Sequence, residues 1–92
     1  MFACTTYPDH QEWFRNLTFK EMDYQTKRLR NHACIGLFCG TNENHWLFNK
    51  IDTPKWNIDI TYNHQYGLYI PNVVAKEVMR KNCPHIPYWN SS

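Results

Sequence analysis

Apolar side chains recur at spacings of three and four across "FKEMDYQTKRLRNHA", residues 19–33. Phe19, Met22, Thr26 and Leu29 fall on one stripe, and Ala33 continues it. That period predicts an amphipathic helix over 19–31. Thr18 and Glu21 just upstream have the S/T-x-x-E spacing of a capping box, which places the helix start at Thr18. A shorter apolar group, Trp13, Phe14 and Leu17, follows Pro8, Asp9 and Glu12. Proline suits a first helical position and acids suit the N-terminal dipole, so a separate short helix is expected over 8–16.

The period then changes from helical to strand-like. "ACIGLFCG" is short, apolar and ends in glycine, "TNEN" reads as a turn, and "HWLFNKI" follows as an apolar run. Residues 33–51 therefore predict a hairpin. "WNIDITYN" alternates, with Trp56, Ile58, Ile60 and Tyr62 on one face and Asn57, Asp59, Thr61 and Asn63 on the other. Such alternation predicts a half-buried strand in an antiparallel sheet. "LYI" makes a short fourth strand, and Asn72 can cap a last helix over 73–82 with Val74, Ala75 and Val78 inward. Cys83-Pro84 stops that helix, and the tail from Pro84 reads as irregular. The expected fold class is α+β: one small domain over 1–92, its antiparallel sheet of three to four strands packed by two N-terminal helices and one C-terminal helix.

Composition adds constraints. Aromatics make up 16% of the 92 residues, enough to fill a modest core with few side chains and to leave some for a surface. Tyr66, Tyr69, Tyr88 and Trp89 lie in expected turns or the tail, on the rim of the core or at an interface. Net charge is only +2 with a pI near 8.4, which excludes acidic mimicry of nucleic acid and is mild for a duplex binder. No leader-like or membrane-spanning run is legible, so the four cysteines are expected as reduced thiols in a cytosolic protein.

The chemistry-bearing residues do not form a known catalytic pattern. Cys34, Cys39, Cys83, His32, His45 and His85 are acceptable zinc ligands, but no C-x-x-C knuckle is present, so no metal is expected. Gly36, Gly40 and Gly67 form no phosphate-cradling cluster, and no nucleophile elbow occurs. The expectation is a chain that is not an enzyme and needs no cofactor. On a helical wheel, Lys20, Tyr24, Lys27 and Asn31 form a stripe opposite the apolar one, flanked by Arg28 and Arg30. This basic face can meet phosphate or an acidic protein surface, or be solvated with internal pairs such as Asp23–Lys27. Lys76, Arg80 and Lys81 make a second basic group.

Read whole, from "MFACTTYPDHQEWF" through "WNIDITYNHQYGLYIPNVVAKEV", the chain resembles phage-encoded anti-CRISPR proteins directed at the type I-F system. No diagnostic motif carries the likeness. It implies an inhibitor in the host bacterial cytoplasm that binds the RNA-guided surveillance complex and blocks pairing of guide RNA with target DNA. The partners would be backbone protein subunits and the guide RNA, with no membrane and no small-molecule substrate. Lys20, Tyr24, Lys27, Arg28, Arg30 and Asn31 are the contact residues chosen from the wheel. Rival readings are a free-standing small nucleic-acid-binding or regulatory protein and a small zinc domain.

Overall fold

The computed structural model describes residue 2, residues 7–46 and residues 67–92. The alternating segment 56–63 and most of the expected second hairpin strand lie outside the described residues.

The N-terminal half is one helix rather than two. Helix α1 runs Glu12–Leu29 without a break. Residues 12–29 contain no glycine or proline to interrupt the hydrogen-bond ladder, so the helix propagates through Thr18. Thr18 is buried in the middle of α1 instead of capping it. Pro8 acts earlier than expected, its carbonyl accepting from Gln11 N at 2.9 Å in the turn that leads into the helix.

The first strand, β1, is shorter than its apolar run and spans Phe38–Thr41. Asn44–Trp46 are helical, so the hairpin expected over 33–51 does not form at its turn. The expected fourth strand is helical as well. A π-helical turn covers Ile70–Val74 and leads directly into α2, Ala75–Asn82. Pro71 sits in the first turn, where its missing N–H costs nothing. Cys83 leaves the helical region with φ −137°, and Pro84 follows, as the sequence suggested. Val74, Ala75 and Val78 are buried, also as expected. The tail holds the second strand, β2, Tyr88–Ser91.

The mixture of helices and strands agrees with the α+β expectation, but the pairing does not agree with an antiparallel meander. β1 and β2 are parallel, with Phe38 beside Tyr88, Cys39 beside Trp89 and Thr41 beside Ser91. Phe2 adds a parallel bridge to Thr41 on the other side of β1. Parallel neighbours need a long crossover, and α2 supplies it between β1 and β2. The physical reason for the miss is that such pairing joins residues fifty positions apart and leaves no turn signature between them.

Alternation along the strands separates two faces. Tyr88 donates its hydroxyl to Pro71 O at 2.7 Å, and Phe38 packs on the Met79, Cys83 and Ile86 cluster. Phe38 and Tyr88 therefore face the helices. Cys39 and Trp89 point to the other face, where Trp89 is 63% exposed. Gly40 is required by the close approach of β2 and the π-helical turn: a Cβ there would strike the Tyr88 hydroxyl, come 2.6 Å from Asn90 O and lie 3.0 Å from Pro71 Cβ.

Two helices are locked together by polar contacts at the bottom of this layer. Asn82 Nδ2 donates to Thr26 Oγ1 and to Asp23 Oδ1, each at 2.9 Å. Arg30 Nη1 donates to Asn82 O at 3.3 Å. No helix among the described residues is long and apolar enough to cross a membrane.

Candidate active site

The carboxyl end of the parallel pair gathers the polar residues. β1 ends at Thr41, and its ladder continues through Ser92 N to Thr41 O at 3.1 Å and Glu43 N to Ser92 O at 2.8 Å. On the other side, Asn42 N donates to Phe2 O at 3.0 Å. Glu43 is thus held two residues beyond the strand, at the place where parallel α/β folds bind ligands and do chemistry.

Its backbone is unusual. Glu43 has φ 53°, the one non-glycine residue with a left-handed φ among those described. This conformation costs an L-residue about 1 kcal/mol. It persists where surrounding bonds over-determine it, which is common at functional sites. The residue is exposed. The other described carboxylates are placed differently. Asp9 is fully buried and accepts from Tyr69 N at 2.9 Å. Asp23 is paired with Lys27, and Glu12, Glu21 and Glu77 lie on helix surfaces.

Around the strand ends lies a hollow of about 370 Å³ lined by His45, Tyr88, Trp89, Asn90 and Ser91. The Ser91 hydroxyl is buried there without a hydrogen-bond partner among the described residues. Thr41 Oγ1 donates to Asn90 O at 3.2 Å. A side-chain chain crosses the same end. Asn90 Nδ2 donates to Asn72 Oδ1 at 2.7 Å, and Asn72 Nδ2 lies 3.2 Å from His45 Nε2. Because Asn72 spends its oxygen on Asn90, it presents its amide N–H to the imidazole, so His45 Nε2 accepts. Half-burial holds the His45 imidazolium below its ordinary value of 6.5, with the Asn72 contact pulling the other way. A neutral imidazole with its proton on Nδ1 fits both facts.

The basic stripe chosen from sequence lies elsewhere, along α1 and just past its end. Lys20, Tyr24, Lys27, Arg28, Arg30 and Asn31 are all exposed. Lys27 pairs with Asp23 at 2.6 Å, and Arg28 Nε donates to Gln25 Oε1 at 2.8 Å. With Arg30 turned onto Asn82 O, three of the four cations have partners within the fold. Sequence reasoning missed Glu43, which it read as part of a turn. The available signal was a carboxylate placed just after a short apolar run that ends in glycine.

Comparison with known proteins supplies the rest. The crystal structure of a β-D-mannosidase from Dictyoglomus thermophilum is similar to 99% of this chain, at 37% identity and a TM-score of 0.81. A probable β-mannosidase of Caenorhabditis elegans is 36% identical over 52 residues, half of this chain. β-Mannosidase B of Aspergillus flavus is 28% identical over 86 residues, 83% of this chain. The chain spans about a tenth or less of each: 10% of the D. thermophilum chain, 6% of the C. elegans protein and 10% of the A. flavus protein. No family model matches the chain.

These findings overturn the anti-CRISPR resemblance. Likeness in fold and sequence together runs to glycosidases, and the resemblance had no motif to set against it. The inhibitor function and its partners, surveillance-complex subunits and guide RNA, go with it. So do the free-standing nucleic-acid binder and the zinc domain as rival readings. The relatives carry the name β-mannosidase, that of an enzyme acting on a glycoside, which also corrects the expectations of no enzyme and no small-molecule substrate.

Proposed function

We propose that these 92 residues are one segment of a glycoside hydrolase that cleaves β-mannosides, and that Glu43 is one of its two reacting carboxylates. The observation that carries the reading is the placement of Glu43: exposed, left-handed, and fixed by the end of β2 at the carboxyl edge of parallel strands. The extent of the likeness to the D. thermophilum β-D-mannosidase supports the choice of substrate class.

Glycosidases generally need a pair of carboxyl groups across the scissile bond, one to protonate the leaving oxygen and one to act as nucleophile or base. The other described acids are buried, paired or on outer helix faces, so the second carboxylate comes from outside the described residues.

The test is hydrolysis of aryl glycosides by the full-length protein that carries this segment. The reading expects turnover of an aryl β-mannoside with kcat/KM well above that for the aryl β-glucoside, which differs at one hydroxyl. Absence of turnover on the mannoside contradicts it.

A further inference from the structure

We propose that the His45–Asn72–Asn90 chain is a positioning device that holds the Glu43 carboxylate in its working direction. The inference rests on the reading of Glu43 as a reacting group and adds the residues that aim it. Four contacts tie the end of β1 and the segment after it to the end of β2. Glu43 N donates to Ser92 O at 2.8 Å, Thr41 Oγ1 to Asn90 O at 3.2 Å, and the amide of Asn72 bridges Asn90 to His45. Glu43, with its left-handed φ of 53°, carries the first of these ties and lies between Thr41 and His45, which carry the others. A residue in that conformation relaxes toward negative φ when its flanks are released. Such a rotation would redirect the side chain.

The side-chain types fit the task. An asparagine offers one acceptor and one donor pair, so Asn72 takes a bond from Asn90 and gives one to His45. An imidazole is rigid and reaches Asn72 from the helical residues Asn44–Trp46 that follow Glu43. His45 thus acts through Glu43 and is a positioning residue. Its requirement is an acceptor at Nε2, which a glutamine oxygen can supply and a leucine cannot.

The experiment uses the full-length protein with an aryl β-mannoside, and compares His45→Gln, His45→Leu, Asn72→Ala and the double variant His45→Leu/Asn72→Ala. His45→Leu is expected to lose about tenfold or more in kcat with KM within about twofold, as for a displaced but present reacting group. Asn72→Ala should lose a similar amount, and the double variant little more, because both break one chain. His45→Gln should keep most of the wild-type kcat. Equal kcat for His45→Gln and His45→Leu overturns the proposal, as does a loss confined to KM. Should Asn72→Ala fail to fold, the Gln and Leu pair, similar in size at His45, still decides. Full activity of Glu43→Gln would instead remove the underlying reading, and that result is separate from any at His45.

Discussion

Glu43 donates its backbone N–H to the carbonyl of Ser92 across 2.8 Å, so the residue just past β2 fixes the turn that follows β1. The bond joins the ends of two parallel strands whose pairing begins at Phe38 and Tyr88. It places an acid at a strand terminus with its backbone turned left-handed, and the functional reading grows from that placement.

The close approach at Gly40 gives a prediction on stability. Gly40→Ala puts a methyl group against the Tyr88 hydroxyl and 3.0 Å from Pro71 Cβ. The Tyr88 bond to Pro71 O must shift to make room. The variant should lose about 1–3 kcal/mol in urea denaturation. Wild-type stability would mean the β1 surface and the π-helical turn are further apart than described.

Asn82 is buried and joins α1 to α2 through Thr26 and Asp23. Asn82→Ala removes two donors at once and leaves the buried Thr26 hydroxyl without that donor. A loss of about 1–3 kcal/mol is expected. A double-mutant cycle with Thr26→Val should show coupling, since the two residues share the bond. Additive losses would contradict a direct interaction.

Acid should weaken the same joint. The Asp23 carboxyl is held below its ordinary 3.8, first by the Asn82 hydrogen bond and then by Lys27. A carboxylate with a depressed value in the folded state binds fewer protons there than when unfolded. Its contribution is therefore present above about 4 and is lost as pH falls through the folded value. Urea titrations across that range should show wild type losing more stability than Asp23→Asn. NMR titration should show Asn82→Ala raising the Asp23 pKa more than Lys27→Ala does. The reverse order would make the ion pair the dominant cause.

The legible part of the fold was what local pattern controls. The stripe from Phe19 to Leu29 announced helix, and Val74, Ala75 and Val78 with Cys83-Pro84 gave the last helix and its stop. Thr18 misled because the capping-box spacing also occurs inside helices, and nothing between 12 and 29 breaks the ladder. Apolar "LYI" misled because short apolar runs suit a buried helix entry as well as a strand; Ile70 and Leu68 are both fully buried. β2 was hidden by the prolines before it, and its parallel partner lies across a crossover that no turn residue marks. Glu43 escaped notice for the same reason: its meaning depends on Ser92 and Asn90, distant in sequence. The Lys20–Asn31 stripe was visible because helical spacing alone builds it.

The central claim is tested most directly by steady-state kinetics of Glu43→Gln in the full-length protein on an aryl β-mannoside. Glutamine keeps the size and the backbone bond but cannot ionise or give up a proton. The account expects kcat/KM to fall by about 10²–10⁴ with an unchanged melting temperature. Activity within twofold of wild type would show that the acid at the end of β1 takes no part in the reaction.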